Sequence, residues 1–537
     1  MAETTETTPS VAAPAEQPWK PRFNPWLIAV VVAMAAFMEV LDTSIANVAL
    51  PHMAGNLGAS NDESTWVLTS YLVSNAIVLP ISGWLASVFG RKRFFLLCIL
   101  IFTLSSLFCG AAPTLGILIV FRVMQGVGGG GLQPMAQSIL ADTFPPQQRG
   151  MAFALYGITA VMAPTIGPTL GGWITDNYSW RWIFYINLPI GILTLLLVYR
   201  LVDDPPFLKR LTGAGIRLDY IGISLLALGV GALQIMLDKG QEDDWFGSHF
   251  IVTLACIAAV CLTALVVWEL HHGEPILDLR LFKNYNFAVA NLMMFILGMI
   301  LFSSLVMLPQ FLQTLMGYTA ESAGMVLSAS GLVILMEMPI VGQLTTKIPA
   351  KYIIAFGWLS LACGLYYSVG RLDLLISFRS ATWMRLTQAF GMGFLFVPIT
   401  LVAYVGISPE RSNNVAGLIN FMRNIGSSVG TSMVTTLLAR GAQVHQTALS
   451  FHTTASDQAF QNEVAGLSQQ LIHSGASPAD ASGEAYARIY QGMQAQAATL
   501  AYMDTFLLLA AAAGVMFLLA FIVRRNNPGG GGDIAVG

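Results

Sequence analysis

Charge is scarce in this sequence. Asp, Glu, Lys and Arg make up 10% of its 537 residues, against about a quarter in soluble domains. So little charge cannot coat a soluble surface of this size, and a net charge of −3 with no basic face argues against nucleic acid as a partner. Cysteine is scarce too. The five copies, Cys98, Cys109, Cys256, Cys261 and Cys363, all lie inside apolar runs, which argues against a disulfide framework or a zinc site. The seven histidines show no metal-ligand spacing, and neither a Walker loop nor a nucleophile elbow occurs. An ATPase or hydrolase is therefore unsupported, and no cofactor or metal is expected. The first 24 residues are rich in Thr, Pro and Ala and lack an apolar core, so residues 1–25 read as a disordered tail rather than a cleaved signal peptide.

Apolar residues are abundant, at 55%. They gather into runs at about 26–48, 64–87, 94–111, 115–141, 150–174, 181–202, 218–237, 249–269, 285–314, 320–344, 351–370, 380–405, 412–439 and 499–523. Each is long enough to cross ~30 Å of hydrocarbon as a helix. The expected fold is thus an all-α membrane protein of 14 transmembrane helices. An even number leaves both ends on one side, and Lys and Arg test which side that is. The loops and tails of one side hold 17 of them and those of the other side 6, so both termini are expected in the cytoplasm of a bacterial inner membrane.

Two echoes divide the chain. Leu50 and Pro51 are followed by Pro80 and Gly83, as Leu308 and Pro309 are followed by Pro339 and Gly342. Arg122, Gln125, Gly128 and Gly130 return at identical spacing as Arg385, Gln388, Gly391 and Gly393. The reading is 6 + 2 + 6: a six-helix half over 26–202, a linker with two inserted helices over 203–283, and a second six-helix half over 284–523. The segment 440–498 reads as an outer loop with helix-compatible stretches, and 524–537 as a Gly-rich cytoplasmic tail.

Glu39 and Asp42 stand out in the first run, because a carboxylate at the bilayer centre costs roughly 2.5–3.5 kcal/mol on insertion scales. Three residues apart, they share a helix face. Asp42 lies about seven residues from the outer end of its helix and Arg122 about seven into the fourth run, so both sit roughly 10 Å below the outer surface. Arg122 needs a counter-charge, and either Asp42 or Glu39 is at the right depth. The pair reads either as a static structural ion pair or as a site of proton exchange, since moving such a pair between closed and wet states changes proton affinity. Glu337 is the acid of the second half, placed to bind a substrate cation or to pair with a polar neighbour. Arg385, near its helix end, is expected to reach outward, and Arg423 is a further intramembrane cation. Part of the Met and Phe content is expected to line an adaptable apolar cavity.

The motifs resemble a known family. LDTSIANVALP (Leu41 to Pro51), GWLASVFGRKR (Gly83 to Arg93), FRVMQGVGGG (Phe121 to Gly130), APTIGPTLGG (Ala163 to Gly172), WRWIFYINLPIG (Trp180 to Gly191) and LPQFLQTLMGYT (Leu308 to Thr319) are similar to those of the fourteen-helix drug:proton antiporters of the major facilitator superfamily, EmrB/QacA type. Ser87 stands where the superfamily loop pattern has Asp. The resemblance implies export of hydrophobic or amphipathic toxic compounds, energised by the proton gradient, with a periplasmic adaptor of EmrA type and an outer-membrane channel as partners. It also implies proton coupling at Asp42, Glu39 and Arg122. Glu337, Gln125 and Arg385 become substrate-binding candidates. Gly83, Gly90, Arg91, Gly167, Pro168 and Gly171 become gating or hinge positions, with the helix-5 glycines expected in tight contact with the second half. Export of an endogenous metabolite or fatty acid is the alternative. A sensor or scaffold fits poorly, because it gains nothing from charges at that depth.

Overall fold

The computed structural model describes residues 21–524 apart from 207–218, 274, 452, 455 and 456. Most of the two tails and the basic stretch of the linker lie outside the described residues. Every regular element is helical: α1 (Pro25–Leu57), α2 (Asn61–Ser64), α3 (Trp66–Phe89), α4 (Arg91–Ala111), α5 (Leu115–Gly129), α6 (Leu132–Thr143), α7 (Pro146–Asn177), α8 (Trp182–Tyr185), α9 (Asn187–Leu201), α10 (Tyr220–Lys239), α11 (His249–His271), α12 (Tyr285–Thr314), α13 (Ala320–Lys347), α14 (Ala350–Val369), α15 (Phe378–Ala403), α16 (Ser412–Ser450), α17 (Gln458–His473) and α18 (Pro478–Ala520). Among the described residues thirteen spans are long and apolar enough to cross a membrane. α16 is not one of these, yet it is 39 residues long and packs among α3, α12 and α18. Asn413, Asn420 and Arg423 of α16 are buried and bond to Ser138, Gln137 and Gln133 of α6, where they are satisfied without water.

Local chemistry sets the helix ends. Asn24 caps α1 ahead of Pro25, and Gly58 ends that helix in the left-handed conformation. Ser60 and Glu63 form a capping box that re-aims the chain into α3. Thr114, Asp219, Asn284, Thr319, Ser377 and Ser477 each cap the helix that follows them. The fourth apolar run becomes two helices, α5 and α6, with Gly130 and Gly131 between them. A Cβ at Gly130 would fall 2.7 Å from that of Val78, so the joint presses directly on α3.

α1 to α9 pack as one half and α12 to α18 as the other, with α10 and α11 beside them. α10 touches both halves, through α3 and α16, whereas the central window of α11 is only 17% buried and presents its apolar surface outward. The halves meet through α7 with α13 and α3 with α16. The two echoed glycines sit at these seams: a Cβ at Gly83 would lie 2.9 Å from Asn414 Cα, and one at Gly342 would lie 3.0 Å from Met151 Cα. The seams are closed at the end carrying Arg91, Lys92, Arg93 and Arg411, called here the basic end.

At the opposite end the helices overrun the expected outer loop. α16 continues to Ser450, α17 follows, and α18 begins at Pro478 as one helix of 43 residues. α17 packs on α18 through a small core of its own, with Val464, Leu471, Ala481 and Ala485 buried. His445 and Asp504, 2.8 Å apart, clip α16 to α18.

Candidate functional site

The site is built from two polar clusters in the first half, joined by one tyrosine. In the first, Arg122 Nη1 donates to Asp42 Oδ2 at 2.6 Å, and Oδ1 accepts from Gln125 Nε2 at 2.9 Å and Asn187 Nδ2 at 2.7 Å. Arg122 also donates to the Val67 carbonyl at 3.0 Å and to Gln125 Oε1 at 2.8 Å. Asn187 is steadied by Ser106 at 3.0 Å, whose hydroxyl donates to the Phe184 carbonyl. Asp42 is 2% exposed and Arg122 fully buried. A carboxylate with a contacting cation and two amide donors is the arrangement that lets a buried ion pair hold its charge. Of the two acids at the right depth, Arg122 takes Asp42.

In the second cluster Glu39 Oε1 accepts from Tyr71 Oη at 3.2 Å and from Asn75 Nδ2 at 3.1 Å, while Oε2 accepts from Gln133 Nε2. Among the described residues no cation makes a hydrogen bond or ion pair with Glu39. Its route to one runs through the amide of Gln133, whose Oε1 accepts from Arg423 of the second half and from Tyr156 Oη at 3.2 Å. Tyr71 joins the clusters, because its hydroxyl meets Glu39 while its ring lies 4.4 Å from the Arg122 guanidinium. Three residues on one helix face thus separate an acid with a charge partner from one without.

The remaining candidates fall elsewhere. Gln125 has both ends of its amide engaged by Asp42 and Arg122, so it belongs to the ion-pair cluster rather than to a substrate surface. Arg385 does not reach outward. It is fully buried, donating to Ser304 at 3.2 Å and Gln388 at 3.3 Å, so polar groups on α12 and α15 receive it inside the bundle. Glu337 is 5% exposed and lies against Gly393, and neither of its oxygens has a hydrogen-bond partner among the described residues. These three are not brought together.

Among the gating candidates, Arg91 forms a buried pair with Asp142 and donates to the Ser138 carbonyl at 3.3 Å. Ser87 Oγ merely turns back to the Gly83 carbonyl at 3.0 Å, so the basic-end ion pair uses Asp142 instead. Gly90 has φ +83°, a conformation that suits glycine. The expected contact of Gly167 and Gly171 with the second half is corrected: they pack on Ser44 and Ile45 of α1. Ser44 donates to the Pro164 carbonyl at 3.1 Å, drawing α1 onto that side of α7, and it is Thr165, Thr169 and Gly157 that face α13. Pro168 lies in α7 between these two faces.

Tyr71, Asn75, Gln133 and Asn187 were not singled out by sequence reasoning. Tyr71 and Asn75, four apart in an apolar run, carried a signal for a polar helix face. Gln133 and Asn187 gave none beyond being amides in apolar surroundings.

Residues 32–431 match the family model described as Major Facilitator Superfamily. The chain belongs to that superfamily. Multidrug export protein EmrB of Escherichia coli (strain K12) is 38% identical over 449 residues, covering 83% of this chain and 87% of the relative. EmrB of Haemophilus influenzae is 40% identical, covering 79% and 83%. Fatty acid resistance protein FarB of Neisseria gonorrhoeae is 39% identical, covering 83% and 87%. Among solved structures, the proton:xylose symporter XylE superposes with a TM-score of 0.58 at 12% identity, covering 93% of this chain and 96% of that one, a likeness of fold. This superfamily member is accordingly a multi-pass inner-membrane transporter and not an enzyme.

Proposed function

We propose that the chain is a proton-driven multidrug exporter. It moves hydrophobic or amphipathic compounds out of the cytoplasm or inner leaflet by alternating access between its two halves, with α16 as the fourteenth crossing and the basic end cytoplasmic. The observation that carries this reading is the buried constellation of Asp42, Arg122 and Glu39 bridged by Tyr71. Neutralising Asp42 strands Arg122, whereas a proton on Glu39 leaves no contacting cation unpaired. The two acids therefore divide the labour: Asp42 and Arg122 hold the charge reference, and Glu39 loads and unloads. The names of the EmrB relatives support multidrug export as the task.

The protruding α17 and the outer part of α18 supply the surface for a periplasmic EmrA-type adaptor and, through it, an outer-membrane channel. Deleting residues 445–495 abolishes adaptor co-purification on this reading. Gly167 and Gly171 let α1 ride against α7 during the exchange, so a bulky residue at Gly167 uncouples transport from protons. Export of fatty acids is a second reading, favoured by the FarB relative. Efflux of a substrate panel including fatty acids, in cells lacking other pumps, separates the two. Asp42→Asn loses gradient-driven efflux of every transported compound, and an Asp42→Asn protein with full efflux removes the proposal.

A further inference from the structure

The contact between α6 and α16 is a ladder of polar rungs running inward from the basic end. Asp142 accepts from Ser412 Oγ at 3.1 Å, Ser138 lies 3.3 Å from Ser412 and also meets Asn413, and Asn420 donates to Gln137 at 2.9 Å. The innermost rung is Arg423 on Gln133. Because the Gln133 amide also holds Glu39, the ladder that joins the halves ends on a carboxylate of the first half. We propose that Gln133 and Arg423 make the proton state of Glu39 the lock on this closed end, an inference that rests on reading Glu39 as the proton carrier.

The argument is one of donors and acceptors. Arg423 offers only donors, so the end of the Gln133 amide facing it must be the carbonyl. The amide nitrogen then faces Glu39 and needs an acceptor there. Oε1 already accepts two hydrogen bonds, from Tyr71 and Asn75, so an arriving proton goes to Oε2, the oxygen opposite Gln133. Donor then faces donor. Turning the amide to receive the new O–H points its nitrogen at the guanidinium of Arg423, which has no acceptor to offer. A proton on the other lone pair of Oε2 leaves the Gln133 contact without its charge assistance, so in every arrangement the proton weakens the rung. The titratable and charged groups around Glu39 are Tyr71 of α3, Tyr156 of α7 and Arg423 of α16, with Asp42 and Arg122 beyond Tyr71. Arg423 also lies 5.7 Å from the Phe396 ring, which can keep the cation when Gln133 lets go.

Spin labels on cysteines at the exposed basic-end positions Gln147 and Glu410, one in each half, test this in the full chain with Cys256 and Cys363 changed to Ser. Reconstituted wild type gains at least fivefold in the long-distance population between pH 8 and pH 5. Gln133→Met, which keeps the volume and removes the amide, leaves that population within twofold across the same range, and Arg423→Met does likewise. A Gln133→Met protein that is monodisperse and still shifts like wild type overturns the inference. A wild type that does not shift overturns it as well. Substrate-induced proton flux on the same proteoliposomes then shows independently whether proton coupling itself stands.

Discussion

The two halves hold the same arginine in different company. Arg122 and Arg385 each donate to a glutamine three residues on, Gln125 at 2.8 Å and Gln388 at 3.3 Å. In the first half the guanidinium also meets Asp42, a carboxylate held by two amides. In the second half the position nine residues before the echoed Pro309 is Ile300, and Ser304 on that same helix is what Arg385 finds. Arg385 Nε and Nη2 have no partner among the described residues, and neither has Glu337. Arg122 lacks a partner only at Nη2, and a buried pair so nearly satisfied can be sustained, whereas a buried cation without a counter-charge and an unpartnered buried carboxyl are a standing cost. The duplicated scaffold therefore keeps its balanced charge chemistry in the first half, and the second half reaches it through Arg423.

Removing each arginine tests the contrast most strongly. Arg122→Met leaves Asp42 buried without its cation, and thermal unfolding in detergent should show a loss of roughly 3–5 kcal/mol, while Arg385→Met should be neutral or stabilising. Equal losses would break the comparison. A smaller effect comes from Ile300→Asp, which supplies the missing acid. A double-mutant cycle with Arg385→Met should give a coupling of about 2 kcal/mol, within the range for contacting residues. Glu337→Gln removes an unpartnered buried carboxyl and should raise stability by about 1 kcal/mol or leave it level. Smallest is Ser87→Asp at the basic end. Because Asp142 already holds Arg91, the change should stay within about 0.5 kcal/mol and leave transport intact; a large gain in transport would mean that the loop acid is missed after all.

Much of this was legible in the residues, for physical reasons. Hydrocarbon thickness sets helix length, so thirteen of the fourteen apolar runs coincide with spans long and apolar enough to cross, and the same 1.5 Å rise put Asp42 and Arg122 at one depth, where they meet. The echoed Gly83 and Gly342 mark the two seams. What stayed hidden depends on which neighbour lies across a helix face. Gly167 and Gly171 announce close packing but not the partner, which is α1. Gln133 and Asn187 look like ordinary amides until the fold sets the first between Glu39 and Arg423 and the second on Asp42. The extensions of α16 and α18 lie in Gln- and Ala-rich sequence, helical by propensity but outside any apolar run, so hydropathy alone ends those helices too early.

The central claim is that Glu39 carries the proton that drives export, with Asp42 and Arg122 holding the charge reference beside it. Proton release on adding a transported compound to purified, unbuffered protein tests it most directly. The account predicts release from wild type, none from Glu39→Gln, and none from Asp42→Asn, with Glu337→Gln like wild type. Release of wild-type size from either first-half variant would contradict it.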